Sequence, residues 1–551
     1  MRGLGSVEAA IARMKRDPAS SPPRVARIPA AGGRTFMCLS VPIGRCAVPG
    51  QGRRLSPLLL LVPGVLGLLG VVYHEWWRDE AYIWLVVRSS GSVGELVQSL
   101  GFNGHPWAYY VLAWGLYHLV ASPLVLSLTN LALSLAATAL VLRSAPLSRL
   151  QALLFALGFY PLYQYGVIAR SYSLFLFLLC AYCHLRATRP QAVAWRLGVL
   201  ALLAQVHLMS IVATWVLLLL EWVERRRSAR WTRRDRAAAV LVAGSIAFAL
   251  WQVTAMGTHP IIRGLLRRLG IAPHGTTRGG LQESLSATEA IVLVLRGLAN
   301  GFLPDFGVLR ESHTQLVVGV AMWIASFILL RGRRDVLVPY ALLSGSLLAI
   351  CALLYPGYRW HHGFYLVYLL VALWLAADVP IGGVAARALT LVLGLNVAIG
   401  AYALGTDLAG PYSDGKMLVE ELREQRLEAL PLVGIRVSRG GGQELRYKWE
   451  IDDIQSVLLY LPDGKVFDPI AGTFEPFYKH YAEKHYFERM DREAMRRALG
   501  DVAARLGGRF LVIVSWGRGL NALEVPEPLR KLNDLPPVAD YGERYSLYLH
   551  P

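Results

Sequence analysis

Three ionisable residues in a row, Arg78, Asp79 and Glu80, stand among the aromatics Trp76, Trp77, Tyr82 and Trp84, just past the first long apolar run, Leu55 to Tyr73. Charged groups at a membrane boundary are costly to desolvate, so a cluster kept there is a candidate for function. A carboxylate in that setting is expected to have a raised pKa and to suit general-base work, and Asp79 is the first candidate. Asp79 and Glu80 are neighbours, so on a regular helix one faces the chemistry while the other caps the helix or pairs with Arg78. The stretch closes on Gly104, His105 and Pro106. Arginines near the ends of apolar runs bind phosphate bidentately and neutralise a leaving group, and Arg170 and Arg359 are best placed for it. His105, His207, His361 and His362 have the chemistry to donate hydrogen bonds or ligate a metal. A solvated or packed side chain explains any one of these residues as well; the constellation carries the argument. The spacing assigns no metal ligand and leaves a divalent cation open as a cofactor.

The elements that must position these residues are membrane helices. Of 551 residues 54% are hydrophobic and 17% charged, with a mean hydropathy of +0.41, the composition of an integral membrane protein. The net charge of +18 gathers in short loops between apolar runs, which is a topology signal; nothing points to nucleic acid as a partner. Of the five cysteines, Cys38 and Cys46 lie in the N-terminal tail and Cys180, Cys183 and Cys351 in apolar runs. The C-x-x-C pair sits inside an expected span without a second ligand pair, which reads as core packing.

Residues 1–54, rich in Arg, Pro, Gly and Ala, are expected to be a disordered basic cytoplasmic tail, with Met37 as an alternative start. Apolar runs then predict spans near 55–73, 123–142, 150–167, 172–186, 195–209, 211–224, 237–256, 313–331, 335–355, 361–378 and 385–405. Segments 106–120 and 286–303 are read as re-entrant or interfacial helices, because only then do the basic loops at Arg143, Arg186, 224–236, 331–335 and Arg387 all fall on the cytoplasmic side. The fold class is thus a polytopic α-helical membrane protein of about eleven spans, N-terminus inside. The polar motifs fall together on the outer side: the loop 74–122, the exit at 165–173, His207, and YPGYRWHHG at 355–363. One outer loop, 257–285, is basic against the bias, which fits an anionic lipid group or an interfacial helix with snorkelling arginines.

Residues 410–551 contain no run long enough to span. Expected helices at 417–430 and 476–507, and strands at 456–461, 510–516 and 545–551, suggest a small extracytoplasmic α/β domain in an accessory role. The glycines at 440–442 read as a turn.

These motifs carry a resemblance. An acidic pair after the first span, followed by Gly-His-Pro before an apolar helix, resembles the GT-C glycosyltransferases, within them the protein O-mannosyltransferase and aminoarabinose-transferase type. YQYGVIARSYSLFLFLL (163–179) is similar to the exit of the family's third span with its Arg-x-Tyr motif, and YRWHHGFYLVYLLVALWLA (358–376) looks like an Arg-x-His-His-Gly motif of a bacterial branch. The resemblance covers roughly residues 55–405, the transmembrane catalytic domain, and implies transfer of a sugar from a polyprenyl-phosphate donor to a glycan, lipid or protein acceptor on the outer face, with inversion. It implies that Asp79 is the base, that Glu80 orients it or the sugar, that His105 lines the site, and that Arg170, Tyr172, Arg359 and His361 hold phosphate and donor. Arg78, His207 and His362 complete the substrate-binding set. The chain departs from the family in having Trp107 after Gly-His-Pro, and Ile168 and Ala169 where an acid often precedes the Arg-x-Tyr motif.

The alternative reading is a transporter or flippase of lipid-linked saccharides, which should show internal repeats and broken helices in matching halves; the first-loop motif has no counterpart in the second half. A non-catalytic homologue that keeps the acidic cluster for folding is a third. The topology makes its own prediction: in cells, a reporter fused after Pro551 should report the outside of the inner (plasma) membrane, and cytoplasmic reporter activity would break the span count.

Overall fold

The computed structural model describes residues 58–100, 105–228, 231–254, 287–306, 312–353, 357–376, 383–439, 445–461, 464–477, 490–516, 528–534 and 545–551. All of them belong to one compact unit, Ala47–Pro551. The basic tail 1–54, the loop 257–285, Gly104 and the glycines at 440–442 lie outside the described residues.

Helix α1 (Leu58–Tyr73) exposes Leu61, Val65, Leu68, Leu69 and Val72. After a 75° turn, α2 (Arg78–Arg88) opens on the acidic motif, with Asp79 and Glu80 in its first turn, where the helix dipole favours negative charge. Helix α3 (Val93–Ser99) and the twelve-residue α4 (Ala108–Leu119) follow; at 1.5 Å per residue α4 is about 18 Å long, too short to cross a hydrocarbon core. The bundle continues with α5 (Leu124–Ser144), α6 (Arg149–Ala156), a π-helical segment (Phe159–Val167), α7 (Tyr172–Thr188), α8 (Val193–Ala204), α9 (Leu208–Ser228), α10 (Arg233–Thr254) and α11 (Ala287–Phe302). It ends with α12 (His313–Leu330), α13 (Arg334–Leu353), the single turn α14 (Arg359–His362), α15 (Phe364–Leu375) and α16 (Gly383–Ala409).

Four described helices, Leu124–Ser144, His313–Leu330, Arg334–Ala352 and Gly383–Ala409, are long and apolar enough to cross a membrane, or five if the bent pair α1–α2 counts as one span. The chain is a membrane protein. The expected span at 150–167 is instead two pieces. Helix α6 ends before Gly158, where a Cβ would lie 3.1 Å from the Phe155 carbonyl, and the π-helical segment carries Pro161, which has no N–H to donate. The Pro161 carbonyl is taken by the Ser134 hydroxyl. The expected span at 361–378 is likewise split, at Gly363, where a side chain would strike the ring of Tyr160 and the hydroxyl of Tyr165.

A five-stranded sheet, order β2-β1-β5-β7-β6, follows the helices, with β1 (Leu432–Arg439) parallel to β5 (Phe510–Trp516) and the other pairings antiparallel: β2 (Leu445–Trp449), β6 (Arg530–Asp534) and β7 (Tyr545–His550). Strands β3 (Val466–Asp468) and β4 (Thr473–Glu475) form a separate hairpin. Residues 510–516 and 545–550 are the strands their alternation predicts. SVLLYL at 456–461 is not: it forms the helical turn α18 (Gln455–Tyr460), after α17 (Gly415–Glu424), because its apolar side chains pack on α2 and α17 rather than in the sheet. The helix expected over 476–507 is described at Arg492–Leu506, as α19.

Both faces of the sheet are covered. Val433, Ile435, Val512 and Val514 pack with Met495 and Leu499 of α19 on one face. On the other, Leu511, Ile513, Leu547 and Leu549 share one core with Ala81, Leu85, Leu96, Tyr109 and Tyr110 of the first loop. The sheet and the acidic-motif helix are thus two sides of a single apolar core. Gly434 of β1 is the close-approach point: a Cβ there would land on the Glu450 carbonyl oxygen, whose residue donates its N–H to the Gly434 carbonyl at 2.9 Å. Gly434→Ala should therefore displace the 450–453 loop and lower the unfolding midpoint of the purified chain by several degrees, about 1–3 kcal/mol. A fluorescence melt unchanged from wild type would contradict this packing.

Candidate functional site

The site is assembled at the turn between α1 and α2. Trp77 is extended (φ −92°, ψ 174°), which starts α2 and sends Asp79 and Glu80 in different directions. Glu80 is fully buried; its Oε2 lies 2.8 Å from His74 Nε2, and its Oε1 accepts the backbone N–H of Ala169. The other ring nitrogen of His74 lies 2.8 Å from Oδ2 of Asp407, on α16, and the Tyr163 hydroxyl donates to that same oxygen at 3.1 Å. Carboxylate oxygens only accept, so both ring nitrogens donate. Burial counts against a charged His74, but Asp407 and Glu80 outweigh it and raise its pKa well above the ordinary value.

Asp79 points the other way, into an ion pair with Arg170, and its Oδ1 lies 3.5 Å from Nε of Arg78. The Arg170 guanidinium lies 5.6 Å from the centre of the Tyr172 ring. The Tyr172 hydroxyl is 3.2 Å from Nε2 of His361, whose Nδ1 accepts the Tyr358 N–H at 3.0 Å, so Nε2 carries the proton. The His207 ring lies 5.4 Å from Tyr172, 5.5 Å from His361 and 4.9 Å from His105. Nδ1 of His207 accepts the Met209 N–H at 3.1 Å, which places its proton on Nε2. That buried nitrogen has no hydrogen-bond partner among the described residues. A carboxylate, a guanidinium, a phenol and three imidazoles therefore share one polar cluster, with the means to accept a proton and to bind an anion.

No protein-family model matches the chain and no curated protein matches it significantly. Among solved structures, ArnT from Cupriavidus metallidurans in the apo state aligns over 90% of this chain and 97% of its own, with a TM-score of 0.51 and 11% identity. The same protein bound to undecaprenyl phosphate aligns at 0.48 with 11% identity over the same shares. The arabinofuranosyltransferase AftD from Mycobacteria aligns at 0.33 with 14% identity, over 90% of this chain and 40% of that one. The chain shares its fold with ArnT.

Within this fold, six of the residues singled out from the sequence come together: Asp79, His105, Arg170, Tyr172, His207 and His361. Three are turned elsewhere, and Arg78, beside Asp79, is shared with a more distant acid. Glu80 is held by His74 and Ala169. Arg78 donates to Asp453. Arg359 is buried over the ring of Phe306, at 4.6 Å. His362 faces Asn300 at 3.5 Å and packs on Gly297. The raised pKa expected of Asp79 is also corrected. Burial pushes it up, but Arg170 and Arg78 outweigh burial and hold it below the ordinary carboxylate value.

Sequence reasoning missed His74, Asp407, Tyr163 and Asp453. Asp407 was open to detection, as the lone acid of the 27-residue apolar helix α16. His74 opens the motif stretch itself. Asp453 has no local signal, because its partner Arg78 is 375 residues away.

Removing one member of the buried Asp407–His74–Glu80 set leaves uncompensated charge, so His74→Gln should destabilise the chain by about 3–5 kcal/mol. Because the folded-state pKa of His74 is raised, this stabilisation is full below the unfolded value of about 6.5 and is lost as pH rises through the folded value. The gap in unfolding midpoint between wild type and His74→Gln should be widest below about pH 6.5 and narrow as pH rises through the raised folded-state value; a gap that widens with pH would refute the charged assignment.

Proposed function

We propose that this chain is a membrane glycosyltransferase that moves a sugar from a polyprenyl-phosphate donor to an acceptor hydroxyl at the extracytoplasmic face, with inversion. The observation that carries the reading is the Asp79–Arg170 ion pair, set against Tyr172, His361, His207 and His105. It puts a base beside a phosphate-binding cation, on a fold shared with a GT-C enzyme.

In this reading Asp79 takes the proton of the acceptor hydroxyl as its oxygen attacks the anomeric carbon from the face opposite the phosphate. The bond from that carbon to the phosphate oxygen breaks, and its electron pair leaves on the polyprenyl phosphate, whose charge Arg170 offsets. Arg170 cannot hold Asp79 and the phosphate equally. As it turns to the donor, the depressed basicity of Asp79 recovers when the acceptor must be deprotonated. Nε2–H of His207 and the Tyr172 hydroxyl are placed to bind sugar or phosphate oxygens. Arg359 and His362 support the pocket from the side of residues 297–306.

The test offers the purified full chain radiolabelled polyprenyl-phosphate sugars, with membrane extract as acceptor. Wild type should move label to a new product. Asp79→Asn should reduce that by about 10²–10⁴-fold at unchanged expression and melting behaviour. Full turnover by the variant would remove Asp79 as the base. Passage of lipid-linked sugar across proteoliposomes with no donor consumed would favour a transporter.

A further inference from the structure

The C-terminal sheet segment reaches the acidic motif through charge. Nη1 of Arg78 donates to Oδ1 of Asp453 and lies 4.0 Å from Asp452, while its Nε faces Asp79 at 3.5 Å. Asp453 is itself fixed: Arg436 of β1 donates to it at 2.8 Å and the Ser515 hydroxyl of β5 at 2.5 Å. The C-terminal segment is also docked on α2 and on the turn before it. Trp76 N–H donates to the Tyr460 hydroxyl at 3.2 Å, Arg88 reaches the Leu458 carbonyl at 3.4 Å, and Lys416 lies 3.7 Å from Glu75.

We infer that Asp453 is a positioning residue for the reaction: it holds Arg78 off Asp79, so that the C-terminal sheet sets the basicity of the proposed catalytic carboxylate. This rests on the glycosyltransferase reading. A guanidinium shared between two acids contributes to each less than one that pairs bidentately with either. With Asp453 in place, Arg78 presents only Nε toward Asp79, at a distance beyond a good hydrogen bond. Without it, the carboxylate contacts of that arginine are Asp79, 3.5 Å from its Nε, and Asp452, 4.0 Å from its Nη1; Asp79 is the closer of the two, and the arginine closes onto it. Among the described residues, five charged or titratable groups bear on Asp79: Arg78 on its own helix, Arg170 from the segment before α7, Tyr172 at the start of α7, His105 from the Gly-His-Pro stretch, and Asp452 from the sheet segment. Only Arg78 among the cations is shared with the sheet. Burial favours neutral acids in the 450–453 loop, and Arg78 and Arg436 are what hold Asp453 below the ordinary carboxylate value despite it. The pairing is therefore mutual.

The test compares wild type with Asp453→Asn and Asp453→Glu, using full-length protein in detergent. Hydrogen exchange is measured over residues 78–88, and sugar transfer against pH. Asp453→Asn should speed exchange in that helix at least several-fold while leaving α12 and α13 unchanged. It should lower kcat about tenfold with little change in KM, and move the acid limb of the kcat profile to lower pH, because a closer Arg78 makes Asp79 easier to ionise. Asp453→Glu should recover both. A purely structural role would lower kcat and leave the limb where it was; that result, or unchanged exchange in 78–88, overturns the proposal. Should Asp453→Asn not fold, Ser515→Ala, which removes one donor to Asp453, should give the same changes at smaller size. If wild type transfers no sugar from any donor, the glycosyltransferase reading fails and the positioning role in catalysis falls with it. The exchange result then shows separately whether Asp453 holds the helix.

Discussion

A buried positive charge held between two buried carboxylates is the constraint on which the rest of the site depends. His74 lies between Glu80 and Asp407, and each contact is 2.8 Å. None of the three charges could be buried alone, since an isolated ion away from water costs several kcal/mol. Together they fasten the turn after α1 to the end of α16, more than 300 residues later. Glu80 has a second oxygen, and with it takes the N–H of Ala169. The residue after Ala169 is Arg170, so the direction in which this arginine enters the pocket follows from the same network.

With Glu80 so occupied, Asp79 is the acid left to face the pocket. Adjacent residues on a helix diverge by about 100°, and the chain uses that divergence to give two carboxylates two tasks. One is spent on burying a histidine and ordering a backbone. The other stays at the boundary with solvent, between two arginines that hold it ionised. The aromatic residues that an interface belt would explain have a further task here: Trp77 packs edge-on against Trp360 at 5.1 Å, joining the first motif to the Arg-x-His-His-Gly turn.

The C-terminal sheet belongs to the same arrangement. Its inner face completes the apolar core under the first loop, and its 450–453 loop brings acids to Arg78. A sheet attached only by a linker would not fix a side chain to within a hydrogen bond, whereas a shared core leaves little freedom to shift.

The sequence alone determined much. Its hydropathy and the grouping of arginines in short loops point to a polytopic helical membrane protein, and the motifs around Asp79, His105, Arg170 and His361 hold residues that the fold brings together. These are local signals: a run of apolar residues is long whatever it packs against, and a charge beside a membrane is costly wherever its partner comes from. What the tertiary structure alone decided are pairings between distant positions. SVLLYL became a helix because α2 and α17 offered it a surface. The expected span at 150–167 broke where Pro161 and Gly158 met neighbouring backbone. Asp79 proved to have a lowered pKa, because the cations that set it arrive from its own helix and from 91 residues away. The energy of a charge depends on what stands within a few ångströms, and for Asp79, Arg78 and His74 those neighbours are chosen by the fold.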